Sequence, residues 1–235
     1  MIGEILSMFL GDGESTLDSA ILLCARIFVL LCCIPVHESA HAWMAAKLGD
    51  HTGRLSGRIT LNPFAHISGV GAVMILLFGF GYAKPVPVNI RNFKKRKEYF
   101  ALTSLAGPVS NLLLAIIFSF ISNLVYFIAL RTGDMENTVI YVAYLFFAYS
   151  SIINVMLAVF NLLPIPPLDG SRILGLILPD RIYYKVLQYE RYSMYILFGL
   201  IFLFNRIGFS PINIVSSFIY DLINIITDLP FSILM

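Results

Sequence analysis

The sequence predicts an all-α protein that crosses a membrane several times. Three observations carry this. Of the 235 residues, 58% are hydrophobic and only 13% are charged, and the mean hydropathy is +0.83. Several apolar runs reach the roughly 20 residues that span a hydrocarbon core. The basic residues gather in short stretches between those runs, as in the loops of a membrane protein. The chain reads as one membrane-embedded domain over 1–235, with a core at about 17–180 and extra C-terminal helices at 190–229. A net charge of +2 is too small to argue for a nucleic-acid partner, and the partner implied is the lipid bilayer. Cys24, Cys32 and Cys33 share one apolar stretch without a spaced framework, so they read as packing residues and not as disulfides.

Residues 1–16 hold Glu4, Asp12 and Glu14 and no Lys or Arg, so the positive start of a signal peptide is missing. Thr16 or Asp18 suits the cap of the helix that follows. That helix is expected from about Leu17 to Leu48, with Gly49-Asp50 as its stop. Rising 1.5 Å per residue, it is longer than the hydrocarbon core and must tilt or project. Pro35 lies inside it, where it frees the carbonyl of Leu31 and predicts a bend. Residues 49–66 form a polar loop in which Arg54 and Arg58 are basic and His51 and His66 read as ordinary loop histidines. Residues 67–83 are apolar, rich in glycine and short for a span. The Lys84-Pro85-Val86-Pro87-Val88-Asn89 stretch after them reads as extended chain. The expectation is a segment that dips into the bilayer and returns, tolerated where it lines a cavity or packs on protein.

After a basic stretch at 90–98, a span is expected at 99–130. It contains Ala106-Gly107-Pro108-Val109-Ser110-Asn111, whose small residues permit close approach of a neighbouring helix. The next span, 138–162, ends at Asn161. Three prolines then unwind Leu162-Leu163-Pro164-Ile165-Pro166-Pro167-Leu168-Asp169-Gly170-Ser171, with Asp169 placed to cap a helix over 170–178. Further spans are expected at 192–205 and 211–229. Nine Lys/Arg fall in 47–98 and four in 164–192, against none in 1–16 and one in 131–137. The positive-inside rule then puts the N-terminus outside and the His37 end of the first helix near the cytoplasmic face of the cell (inner) membrane, provided that 67–83 re-enters.

The chemistry lies in His37-Glu38-Ser39-Ala40-His41. Two histidines four apart on a helix project from one face, and two neutral imidazoles there can share a tetrahedral Zn²⁺. Glu38, beside that face, can take a proton from an activated water. Such groups are costly in hydrocarbon unless they act. Asp169, a second acid at membrane depth in a broken helix, is the candidate third ligand. Three protein ligands with one open position is the pattern of a catalytic zinc, and a structural site would close its shell with cysteine. Cys33, one turn before His37, remains an alternative ligand. This set points to hydrolysis of a polarised peptide carbonyl, with Glu38 handing its proton to the leaving amine. Asn161 and Asn111 are the intramembrane amides that could stabilise the oxyanion, and either could instead tie helix to helix.

These residues resemble the site-2 protease family of intramembrane zinc metalloproteases, in its compact form without PDZ or nucleotide-binding domains. The matching pieces are His37-Glu38-Ser39-Ala40-His41, Gly107-Pro108-Val109-Ser110-Asn111, Asn161-Leu162-Leu163-Pro164 and Leu168-Asp169-Gly170, with Leu61-Asn62-Pro63 and Ala83 to Asn89 between them. The resemblance implies a three-helix catalytic core with a re-entrant β-loop and additional peripheral helices. It implies one zinc per chain, held by His37, His41 and Asp169, with Glu38 as general base and Asn161 as a substrate or oxyanion contact. Gly79-Phe80-Gly81 resembles the start of the family's substrate-handling loop. The implied substrate is a transmembrane segment of a single-span protein, and a regulatory partner is compatible with the missing accessory domains. The competing reading is a metal-ion transporter using the same His/Asp site. It would need a polar path across the membrane and would not need Glu38.

Overall fold

The computed structural model describes residues 13–66, 84–179, 181–183, 185, 199 and 211–233. The first membrane helix is continuous over Thr16–Lys47. It consists of α1 (Gly13–Phe28), a π turn (Val29–Cys33) and α2 (Ile34–Lys47). The helix already contains Thr16 and Asp18, so neither caps it; Asp18 instead accepts a hydrogen bond from the Tyr141 hydroxyl at 3.0 Å. The π turn answers the expectation about Pro35. Proline has no N–H and crowds the carbonyl four residues back. Just before it the ladder widens by one residue, and the Ile34 amide donates to the Val29 carbonyl. Pro35 then enters α2 in its first turn, where a missing N–H costs little.

Gly49, with φ +106°, turns the chain after α2, a conformation that L side chains resist. The loop behind it is pinned from both ends. The Ser39 hydroxyl on α2 donates to the Thr60 carbonyl at 2.5 Å. The Arg58 guanidinium donates to the carbonyls of Ala65 and Lys84. Two short helices lie in this loop, α3 (Thr52–Leu55) and α4 (Pro63–His66). The loop predicted to re-enter, 67–83, lies outside the described residues. Its flanks meet: the Lys84 amide donates to the His66 carbonyl at 2.6 Å. Residues 84–89 follow as extended chain, and no strand occurs among the described residues.

The long helix α5 (Arg96–Thr132) is the hub. It packs against α2, α6 (Thr138–Asn161), α7 (Gly170–Ile177) and α8 (Pro211–Ser232). Gly133, φ +75°, ends it, and the Asn137 side chain accepts from the Val139 amide to start α6. The outer faces of the bundle are apolar, as lipid requires, and polar side chains are buried within it beside apolar clusters. Leu113, Ile117, Phe120 and Ile128 of α5 are exposed, whereas Ser119, Ser150, Ser151 and Asn154 are fully buried. Buried hydroxyls and amides tie the helices. Ser151 donates to the Ala115 carbonyl at 2.8 Å, and Ser119, Asn123 and Thr227 join α5 to α8 at 2.8 and 2.9 Å. Each such bond contributes about 0.6 kcal/mol in a membrane. The span expected at 192–205 lies almost wholly outside the described residues.

Asp50 is a structural node that the sequence did not advertise. It is fully buried just past α2. Its oxygens accept from the Thr52 hydroxyl (2.6 Å), the Asn89 amide (2.7 Å) and the Asn92 side chain (2.7 Å). It thereby fastens the extended 84–89 segment to the end of the histidine helix. Burial works against its charge, but the donors from Thr52, Asn89 and Asn92 outweigh it and hold the carboxyl below its ordinary pKa. A carboxyl depressed in the fold stabilises it fully above the unfolded pKa of about 3.9 and loses that contribution as pH falls through the lower folded value. Asp50→Asn is therefore expected to cost about 1–3 kcal/mol near neutral pH, because one amide donor now faces another. The gap to the wild type should close in strong acid. Thermal unfolding of both proteins across pH checks this, and a gap independent of pH would contradict it.

Candidate metal centre

The site forms where α2, α5 and the break before α7 converge. His37 and His41 project from the buried face of α2, with ring centroids 4.7 Å apart in an edge-to-face pair. Their Nε2 atoms lie 3.0 Å from each other. Asp169 Oδ2 lies 3.3 Å from both. An ion in tetrahedral coordination at about 2.0–2.1 Å from each ligand needs ligand atoms about 3.3 Å apart. The triangle therefore has the size that a zinc ion requires, with the fourth position left over.

The protonation of one ring follows from its partner. A carbonyl only accepts, so His41 Nδ1–H donates to the Thr103 carbonyl at 2.8 Å. In the neutral ring this leaves the Nε2 lone pair facing the triangle, the arrangement expected of a metal-ligating histidine. His37 Nδ1 and Asp169 Oδ2 are buried without hydrogen-bond partners among the described residues. Buried polar atoms are seldom left so, and a cation held between the three residues would satisfy the aspartate oxygen.

Two glycines make the convergence possible. A Cβ on Gly107 would overlap His41 Nε2 and Cε1 and the Cε1 of His37. The histidine rings thus lie directly on the bare backbone of α5. The expected close approach at 106–111 is realised, and the group that approaches is the ligand pair itself. A Cβ on Gly170 would run into the backbone of Leu162 and Leu163. There the chain doubles back on itself after α6, through turns such as Leu168 N–H to the Ile165 carbonyl at 3.0 Å. That doubling back swings Asp169 toward α2. Asp169 does not cap α7, as its position had suggested: it has helical dihedrals and makes no side-chain cap bond. Its carboxylate is turned to the histidines instead.

The other candidates fall into place around this triangle. Glu38 is 9% exposed on α2, beside the pair and outside the three ligand atoms. Asn161 is half-buried at the end of α6, its amide donating to the Leu157 carbonyl at 2.9 Å. Asn111, one turn beyond Gly107, is 1% exposed and its Oδ1 has no partner among the described residues. Cys33 is buried in an apolar cluster with Val29 and Phe118, away from the ligand set, as packing residues are. His66 is buried with Nε2 on the Thr60 carbonyl, and His51 is exposed. Gly79 and Gly81 lie outside the described residues. The Thr103 carbonyl escaped the sequence because a backbone atom leaves no mark on residue identity.

A family model described as peptidase family M50 matches residues 127–204. YwhC of Bacillus subtilis, named as an inferred zinc metalloprotease, is 41% identical over 178 residues, covering 75% of this chain and 78% of YwhC. This chain belongs to peptidase family M50, the site-2 protease family. Rip2 of Mycobacterium tuberculosis is 30% identical over 176 residues, or 72% of this chain and 63% of Rip2. MJ0611 of Methanocaldococcus jannaschii is 33% identical over 141 residues, or 59% of this chain and 62% of that protein. Both carry the same inferred zinc-metalloprotease name, and the match spans just under two thirds of each. No solved structure matches the chain. The family's metal is zinc. Four helices long and apolar enough to cross a membrane, among the described residues, make this a multi-pass membrane member of a zinc metalloprotease family.

Proposed function

We propose that this M50 member is an intramembrane endopeptidase that cuts a peptide bond within the transmembrane segment of a single-span protein. The observation that carries the reading is the triangle of His37, His41 and Asp169 ligand atoms, sized for zinc and enclosed in an apolar helix bundle. In this reading those three residues hold the ion, which when bound supplies a Lewis acid that acidifies water and polarises a carbonyl. Glu38 takes a proton from the attacking water. As the carbon–nitrogen bond breaks, Glu38 returns that proton to the leaving amine. Thr103 fixes the His41 tautomer so that its Nε2 stays a ligand. Asn161, half-exposed at the end of α6, is the amide donor within reach of an incoming chain. Asn111, buried with an unpartnered Oδ1 among the described residues, is the alternative.

Segment 67–83, with its Gly79 and Gly81, is assigned to handling the unwound substrate as a re-entrant loop. The hydrogen bond between Lys84 and His66 supports this, since it holds the two flanks of the segment together. With 67–83 re-entrant, the charge count supports an N-terminus outside the cytoplasm and a site toward its cytoplasmic side. Tags in 49–66 and 90–98 that map to opposite faces would overturn that topology.

Reconstitution of the full chain with a panel of single-span substrates tests the activity. Cleavage is expected within the apolar segment of at least one, to stop with a zinc chelator and to return with added zinc. Cleavage that a chelator leaves untouched would refute the assignment.

A further inference from the structure

On the outer side of the histidine helix lies a second feature that proteolysis does not use. A groove of about 490 Å³ opens between the end of α2 and α3, lined by Trp43, Ala46, Lys47, His51, Arg54 and Ile59. Trp43 lies two residues after His41 but on the opposite side of α2: His41 is 8% exposed and Trp43 48%. The apolar helix ends at Lys47, so the groove lies at the end of a membrane span, close to a bilayer surface. We propose that it binds the phosphate of an anionic phospholipid.

Charge carries the argument first. The Lys47 ammonium lies 3.9 Å above the Trp43 ring, a cation–π pair that orders both groups. None of Lys47, His51 and Arg54 has a carboxylate partner among the described residues. The acid next to them in sequence, Asp50, is fully buried and its oxygens are occupied by Thr52, Asn89 and Asn92. The groove therefore presents uncompensated positive charge, with an Arg fork suited to phosphate oxygens. The surroundings decide between a lipid and free phosphate. Leu55 is 86% exposed, Leu61 67% and Phe64 86%, all on the loop flanking the groove. Large apolar side chains so placed beside a tryptophan and two cations match the boundary of headgroups and acyl chains. A soluble anion would have no use for them.

Trp43 is the single tryptophan of the chain, so its fluorescence reports this groove alone. The full-length protein is placed in phosphatidylcholine nanodiscs carrying a small fraction of brominated phosphatidylglycerol or brominated phosphatidylcholine. Brominated phosphatidylglycerol is expected to quench Trp43 at a lower mole fraction, by roughly fivefold for each basic residue engaged. Lys47→Gln and Arg54→Gln should each remove about one such factor, and the double variant should quench equally with both lipids. Zinc content and cleavage in pure phosphatidylcholine should not change in these variants, since neither residue touches the metal centre. Equal quenching of the wild type by the two lipids would overturn the proposal. So would relief of quenching by inorganic phosphate beyond that of chloride at equal ionic strength, which would make this a site for free phosphate.

Discussion

Glu38→Gln is expected to lower cleavage by about 10²–10⁴-fold, or about 3–5 kcal/mol of transition-state stabilisation, while zinc content and helix packing stay as they are. The two side chains have nearly the same shape, so a residue 9% exposed is replaced without a cavity. What is lost is the ability to take and return a proton. Metal should be retained because Glu38 is not among the residues, His37, His41 and Asp169, whose atoms are placed to hold an ion. Single-turnover cleavage of a reconstituted substrate, read beside zinc stoichiometry, separates the outcomes. Full cleavage by the variant would remove Glu38 from the chemistry, whereas metal transport that persists in the variant without cleavage by the wild type would favour a transport role for the same site. Loss of zinc with loss of cleavage would make Glu38 a ligand.

The cluster of His37, His41 and Asp169, which could hold a metal ion, was legible in the sequence because each member carries its own physical signal. Histidines four apart share a helix face whatever surrounds them, and acids at membrane depth demand a partner. The apolar runs likewise fixed the long helices to within a few residues: 99–130 is observed as Arg96–Thr132 and 138–162 as Thr138–Asn161. What stayed hidden depends on relations that a single chain position does not encode. Pro35 announced a disturbed ladder but not its form, a π turn whose Val29 and Cys33 pack in one cluster with Phe118. Asp169 looked like a helix cap because it precedes Gly170. The sequence offered Asp169 both as a cap and as a candidate ligand, and the doubling back over Leu162 and Leu163 accompanies the second placement. Asp50 with Thr52 is a readable turn pattern, yet its bonds to Asn89 and Asn92 span about forty residues and needed the fold.

Gly107→Ala is expected to weaken zinc binding about 10–100-fold, the range typical of changes to the groups that orient metal ligands. The new methyl would fall on His41 Nε2, a ligand atom, and on the Cε1 atoms of both rings. The rings must then tilt or withdraw, and a triangle with sides of 3.0, 3.3 and 3.3 Å has little slack for that. His41 is further held by its bond to the Thr103 carbonyl, one turn earlier on the same helix as Gly107. Moving the ring therefore also breaks the contact that sets its tautomer. The helix itself should not suffer, since alanine is favoured over glycine inside a helix by about 1 kcal/mol. The signature is thus a split: metal-free stability lowered by no more than about 2 kcal/mol, since the helix gain partly offsets the displaced rings, with zinc affinity and cleavage both reduced and partly rescued by excess zinc. Thermal unfolding of the metal-free proteins and zinc titration against a competing chelator would measure the two halves separately. Unchanged zinc affinity would show that the rings do not rest on the α5 backbone.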